Sequence, residues 1–444
     1  MRAPGPAAGL VADHCHKLIG LLGPAAESTL RDIVAQCGQP LRVLLVGDVS
    51  TGKSTLLNAL LSDSRAETAF KETTSRVTWY HGPHLGALGL PDPSHRAVAA
   101  GFPLADRLVL GDSPGLNTSS ENPDETRRMM GGGDLAGAAA AFVCVLGTGL
   151  VSGLWAKHLE GLAALSAGPF DLVGNMVLVM AKIDLIDDDI GNLERRTRDS
   201  TPLAFRFAGV NQLMAAAART GAVDGRTLAV LDALRALPSF EAWPPESWPE
   251  VADDLSGLFS DTDLKAFEDS VGAPELLPEL VRATADMDHP SAVAAVFERM
   301  SGLAALESVL ADIAEDADLF TTTAVLLRLR RLAARLPDDP AAQVRSAIAA
   351  VTSSRQYQDL WPRAAARLMR HTSVGDGLDP DDLDTALRLL SGLTCPPAAA
   401  AAALTRWSAR SADPFADSRT RHLARLVQDA ALRVLAEPGS EETP

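Results

Sequence analysis

An α/β domain built on a mostly parallel sheet with helices on both faces, followed by an all-α helical bundle or trunk, is the fold class the sequence predicts. Three observations carry that expectation. Residues 41–46 (LRVLLV) run into GDVSTGKS at 47–54 and then into STLLNALL at 54–61, so a buried strand, a glycine-containing loop and a helix follow one another. Apolar runs of strand length recur at 107–110, 138–146 and 175–181, spaced widely enough for crossover connections. From about residue 228 the pattern changes to long helical periodicity, broken by a Trp/Pro-rich piece at 243–248 (WPPESW).

The chain opens with two amphipathic segments, LVADHCHKLIGLL and STLRDIVAQC, divided by Gly23 and Pro24, which end the first helix. They predict a helical arm over 1–37 whose apolar side needs a partner, most economically a helix from the far C-terminal end. The loop at 47–54 fits G-x-x-x-x-G-K-[ST] at every constrained position, the pattern of a phosphate cradle. Gly47 and Gly52 let the backbone bend so that amides of Asp48, Val49, Ser50 and Thr51 point inward, and the helix starting near Lys53 adds its positive end. Lys53 would meet the β and γ phosphates of a nucleotide, and the Ser54 hydroxyl would ligate the Mg²⁺ bridging them. Thr55 adds a second hydroxyl. Lysine is scarce, with six in the chain against arginine used elsewhere for positive charge, yet it stands here and again at Lys182.

Residues 70–82 (FKETTSRVTWYHG) predict a strand around Val77 and Trp79, with Thr73 and Thr74 in the loop before it. A hydroxyl there can complete a Mg²⁺ sphere, or simply begin an ordinary strand. The strand at 107–110 leads to Gly111, Asp112, Ser113, Pro114 and Gly115. Asp112 can hold Mg²⁺ through water, and the Gly115 amide can sense a γ-phosphate. Leu116 stands where Ras-like enzymes carry a water-orienting glutamine, so hydrolysis must be arranged differently. Residues 118–133 are polar and glycine-rich, and 153–166 predict a crossover helix. The strand at 175–181 ends in Lys182, Ile183 and Asp184, matching [NT]KxD except at Ala181. In that pattern the aspartate accepts from N1 and N2 of guanine and the lysine stem lies across the base, which selects GTP over ATP. Alanine at 181 loses a loop-bracing hydrogen bond worth about 1 kcal/mol rather than the base contact. A last strand is expected within 202–210 and a helix over 211–220, without a base-bracketing loop being placed between them.

Composition bounds the rest. A chain of 444 residues has room for two or three domains, and its net charge of −17 argues against nucleic acid as partner. The acidic balance also weakens adhesion to anionic lipid by the whole surface. Cys15, Cys37, Cys144 and Cys395 form no C-x-x-C pair and read as free thiols in a reducing compartment, and the nine histidines show no metal-ligand spacing. The first residues lack the build of a secretion signal. The run 135–155 is uncharged over 21 residues, but its four glycines fit strand, loop and helix better than a membrane span. Helices are expected over 301–317, 320–336, 341–372, 381–392 and 397–436. Arg328, Arg330, Arg331 and Arg335 along the second would form a solvated face, with lipid or partner contact as the lesser alternative.

With RVLLVGDVSTGKSTLLNALL, KETTSRVTWYHG, GDSPGLNT and RMSGLAALESVL in view, the chain resembles the bacterial dynamin-like GTPases, most closely the isoniazid-inducible C-type branch of actinobacteria. The resemblance implies a GTPase domain over 38–235 between the arm and a trunk over 236–444. It makes Lys53, Ser54, Thr74, Asp112, Gly115, Lys182 and Asp184 residues for GTP or GDP and Mg²⁺, with Thr74 preferred to Thr73. Ser50 matches a family position that helps place a monovalent cation or the attacking water. Val49 stands where better-studied dynamins carry a catalytic glutamine, which implies slow or dimerisation-dependent hydrolysis. The family further implies self-association, as a homodimer or with a second dynamin-like protein, and work in the cytoplasm at the inner face of the membrane with peripheral lipid contact. Two readings therefore stand: a GTP-hydrolysing machine, or a GTP-loaded switch with little turnover. A ribosome-assembly GTPase is disfavoured by the acidic charge.

Overall fold

In the computed structural model the described residues are 4–48, 50–63, 77–85, 88, 90, 95–113, 139–147, 174–186, 189–200, 205–237, 240, 246–371, 375 and 378–436. Helices α1 (Pro6–Leu18) and α2 (Pro24–Cys37) come first, each with proline in its opening turn, where the missing N–H costs no hydrogen bond. The chain then enters β1 (Leu41–Gly47), α3 (Lys53–Leu61), β2 (Thr78–His81), β3 (Arg96–Ala99), β4 (Leu108–Asp112), β5 (Ala141–Leu146), β6 (Met176–Ala181), α4 (Ile190–Ser200) and β7 (Arg206–Val210). The seven strands lie in the order β3-β2-β4-β1-β5-β6-β7, and every pairing is parallel except β2 with β4. Strands β1, β4, β5 and β6 are buried along their whole length, which explains why they read as unbroken apolar runs. The uncharged run at 135–155 contributes β5, between β1 and β6, and no helix among the described residues is long and apolar enough to cross a membrane.

After the sheet, α5 (Gln212–Thr220), α6 (Gly225–Ala236), α7 (Trp248–Leu255), α8 (Asp261–Val271), α9 (Leu277–Ala283) and α10 (Pro290–Ser301) share a core that includes Met214, Leu231, Phe267 and Phe297. There follow α11 (Leu303–Glu315), α12 (Ala317–Arg335), α13 (Asp338–Thr352), α14 (Arg355–Gln358), α15 (Leu360–His371), α16 (Pro380–Leu390), α17 (Pro397–Ala412) and α18 (Ser418–Ala436). The stretch 341–372 is thus not continuous: the chain leaves the helical path after Thr352, and the Ser354 hydroxyl caps a new start by accepting from the Tyr357 N–H.

The arm packs on α12 and α13, in the middle of the helical half, rather than on a helix at the far C-terminal end. The reason is visible at its first turn, where the Asp318 carboxylate accepts from the backbone N–H groups of Ala7 and Ala8 at 3.1 and 2.8 Å. Arg328 is also turned inward onto the arm. It donates to Gln36 Oε1 at 2.7 Å and lies 3.9 Å from Asp32, while Arg330 and Arg335 are exposed, so the arginines of α12 do not form a single solvated face. One buried apolar cluster runs through Val11, Leu30, Val43, Val177, Leu306, Val325, Ala365 and Val427, joining arm, sheet and helical half.

Candidate nucleotide site

Strand β1 has β4 on one side and β5 on the other, both parallel to it, so connections diverge at its carboxyl end and a crevice opens there. Gly47 ends the strand. A Cβ at this position would lie 2.5 Å from the Val145 carbonyl oxygen, so only glycine lets the loop turn so close to β5. Ser50 and Gly52 both take the left-handed backbone, with φ of 64° and 91°. For serine this conformation costs about 1 kcal/mol or more, strain held within the loop itself. Thr51 closes the turn, its Oγ1 donating to the Asp48 carbonyl at 2.9 Å. Helix α3 starts directly after Gly52 with no side-chain cap, which leaves first-turn N–H groups to face an anion.

Lys53 is only 7% exposed, and its Nζ donates to the carbonyls of Gly47 at 2.9 Å and Asp48 at 2.6 Å. An ammonium has three donors, so among the described residues one remains for a phosphate oxygen. Burial pushes the Lys53 pKa down, opposed by the charges of Asp112 and Asp48. Asp112 is the last residue of β4, in register with Leu45 of β1. Its Oδ2 accepts from Ser54 Oγ at 3.3 Å, whereas its Oδ1 is buried with no hydrogen-bond partner among the described residues. Burial raises the Asp112 carboxyl to about 6, against the opposing pull of Lys53 and the Ser54 hydrogen bond. A hydroxyl beside a carboxylate whose second oxygen is unsatisfied is a donor set suited to a hard cation such as Mg²⁺. The Thr55 side chain is half-buried on the first turn of α3. Val49, Thr73, Thr74 and Gly115 lie outside the described residues.

At the other end of the crevice Lys182 follows β6 with φ 57° and opens the short turn Ile183–Leu185 that carries Asp184. The Lys182 backbone N–H donates to Gln212 Oε1 at 2.8 Å. The same buried glutamine fills the space over the phosphate loop, since a Cβ on Gly52 would lie 2.7 Å from Gln212 Nε2. One side chain therefore joins the [NT]KxD-like run to the phosphate cradle. Asp184 is half-buried, and burial pushes its carboxyl pKa up, opposed by N–H groups of its own residue and of Ala273. Asn211 caps α5, its Oδ1 accepting from Leu213 and Met214 N–H at 3.1 Å, and its Nδ2 donates to the Val271 carbonyl at 2.9 Å. Asn211 and Gln212 are the residues sequence reasoning missed. Their signal is a cap-forming asparagine directly after a strand, at the place where a base-bracketing loop belongs.

A family model described as 50S ribosome-binding GTPase matches residues 42–150, covering β1 to β5 and stopping before Lys182. Two curated relatives, the isoniazid-induced protein IniC of Mycobacterium tuberculosis strains CDC 1551 / Oshkosh and H37Rv, are each 29% identical over 171 residues. The match covers 32% of this chain and 35% of theirs, so the chain spans about a third of the length of the relatives it matches. Two solved structures of an oligomerised bacterial dynamin pair, described as providing a mechanism for long-range sensing and tethering of membranes, align over 97% and 98% of this chain. Their TM-scores are 0.31 and 0.30, at 11% and 12% identity, so the nucleotide assignment rests on the loop geometry and the family match instead.

Proposed function

We propose that this chain is a bacterial dynamin-like GTPase, which binds and hydrolyses GTP with Mg²⁺ to drive self-association and remodelling or maintenance of a membrane. The observation that carries the nucleotide part is the Ser54–Asp112 hydrogen bond beside Lys53, with Asp112 Oδ1 buried and without a donor among the described residues. Loop amides and Lys53 would bind and orient the β and γ phosphates; Lys182 and Asp184 would hold the base. Ser54 and Asp112 would hold Mg²⁺, which when bound supplies charge neutralisation across the two phosphates. Hydrolysis is then in-line attack of water on the γ-phosphate, with the fixed donors of the loop stabilising the charge that develops. Thr74 and Gly115 are assigned to the γ-phosphate, and Ser50 to the attacking water or a monovalent cation, by resemblance alone. The domain reading is a GTPase unit over 38–235 carried on a helical trunk over 236–444, with 1–37 as an arm against it.

Calorimetry with GTP and GDP in the presence of Mg²⁺ tests the first step, and absence of heat with both would remove it. Self-association, a cytoplasmic location and contact with the inner face of a membrane draw their support from the dynamin-like resemblance. Co-sedimentation with liposomes in GTP, GDP and no nucleotide tests the lipid step; no binding in any state leaves a GTPase without membrane work. A second reading, a GTP-loaded switch with negligible turnover, is favoured by Val49 in place of the catalytic glutamine, and steady-state phosphate release decides between the two. The net charge of −17 argues against the ribosomal partner named in the family model's description.

A further inference from the structure

The guanine end of the crevice is finished by a turn that belongs to the helical half of the chain. Helix α8 ends at Val271, and Gly272 follows with φ 94° and ψ −104°, a conformation that side chains rarely adopt. A Cβ on Gly272 would lie 2.5 Å from Asp184 Oδ2 and 3.4 Å from Asn211 Nδ2, so the turn presses its backbone directly onto the carboxylate. The next residue, Ala273, is almost wholly buried, and its amide draws the Asp184 carboxyl pKa down against the push of burial. The turn is held from two further sides. Trp248 Nε1 donates to the Gly272 carbonyl at 2.7 Å while its ring meets Phe267 edge-on, and Asn211 Nδ2 donates to the Val271 carbonyl at 2.9 Å.

We propose that the turn at 271–273 positions Asp184 for reading the guanine base, so that the selectivity of the nucleotide site depends on Gly272, a residue 88 positions beyond the aspartate it serves. This inference rests on the proposed role of Asp184 as the base acceptor. The need for such a brace follows from Ala181, which stands where the [NT]KxD pattern supplies a hydrogen-bonding side chain to its own loop. The loop has acquired other supports: Gln212 holds the Lys182 backbone, and the Gly272 backbone packs against the Asp184 carboxylate. A carboxylate offers about four acceptor positions, so one packed on a single side by Gly272 keeps room for both N1–H and the 2-amino group of guanine. The same close packing removes rotational freedom that a half-buried aspartate on a three-residue turn would otherwise keep. Gly272 is a positioning residue, acting through Asp184 without touching the nucleotide.

The test compares GDP with IDP, which lacks the 2-amino group, on the full chain with Mg²⁺. The wild-type protein should prefer GDP by about tenfold or more, the usual loss when one hydrogen bond to a charged acceptor is removed. Gly272→Ala should bring that ratio below about threefold while leaving IDP affinity within about threefold of wild type, because the phosphate loop is untouched. Gly221→Ala is the matched control: Gly221 also has a positive φ, 78°, but a Cβ there meets nothing within 4 Å, and its ratio should stay at the wild-type value. Should Gly272→Ala fail to fold, Trp248→Phe removes the hydrogen bond that anchors the Gly272 carbonyl while keeping an aromatic side chain at that place, and the ratio should still fall. A wild-type ratio in Gly272→Ala, or in Trp248→Phe where that variant stands in, overturns the proposal. A wild-type protein that does not distinguish GDP from IDP instead overturns the assignment of Asp184 as base reader, and the brace with it.

Discussion

Asp112 carries a carboxyl that its surroundings prefer to keep protonated. Because its folded pKa lies near 6, above the ordinary carboxylate value of 3.8, the folded state holds more protons than the unfolded one between those limits, and stability falls as pH rises through that window. Above pH 6 the full cost, about 3 kcal/mol, stands unless a cation offsets it. Asp112→Asn should therefore melt higher than wild type at pH 7.5 without nucleotide, with the difference shrinking toward pH 5.5 in thermal scans. The same variant should lose the gain in GTP affinity that Mg²⁺ gives the wild type. Lys53→Ala should weaken GTP binding about a hundredfold or more in calorimetry, since it removes a charge-assisted contact inside a water-poor loop. These residues were legible in the sequence because a phosphate cradle demands glycine, lysine and serine at fixed spacing. Gln212 and Gly272 were not. A glutamine in a helix and a glycine at a helix end are common, and their meaning arises only when distant parts of the chain meet at Lys182 and Asp184.

At the scale of the element, α1 is a helix whose start is written elsewhere in the chain. It has no cap of its own, and the Asp318 carboxylate of α12 supplies one from a distance of about 310 residues. Gly5 is confined by the same contact, since a Cβ there would run into the Asp318 side chain. Asp318→Ala should cost about 1–2 kcal/mol and raise amide exchange in residues 6–18 above that in β1, as hydrogen exchange read by mass spectrometry would show. Apart from β3, a mostly exposed strand at the sheet edge that no apolar run announced, the described strands were legible from apolar runs or alternation of the right length. What periodicity left open was which helix covers which face, because amphipathic helices of similar strength compete for the same partner until a specific contact such as Asp318 decides.

For the whole molecule, the consequence of one shared core is that the sheet does not finish its folding alone. Val43, Leu45, Val177 and Ala208 of the strands are buried in the same cluster as Leu303, Leu306 and Leu310 of α11. Below the sheet Arg206 pairs with Asp312 at 3.4 Å, Arg107 donates to the Ala311 carbonyl at 3.0 Å, and Arg367 of α15 pairs with Asp316 at 3.0 Å. A fragment of residues 38–235 should accordingly bind an apolar dye and lack a cooperative urea transition, while the full chain unfolds with coincident fluorescence and circular-dichroism curves. A cooperative, dye-free fragment would show that the strands need no cover from α11.

The joint between β7 and the helical half sits at Ser301 and Gly302. The Asn211 N–H donates to the Ser301 carbonyl at 2.9 Å, and Gly302, with φ 77°, comes so near β7 that a Cβ would stand 2.3 Å from the Gly209 carbonyl oxygen. From there α11 extends 13 residues, an arm of about 20 Å. Since its far end is tied as well, through Ala311 to Arg107 and through Asp312 to Arg206, any displacement of β7 would carry this rod along whole rather than swing it.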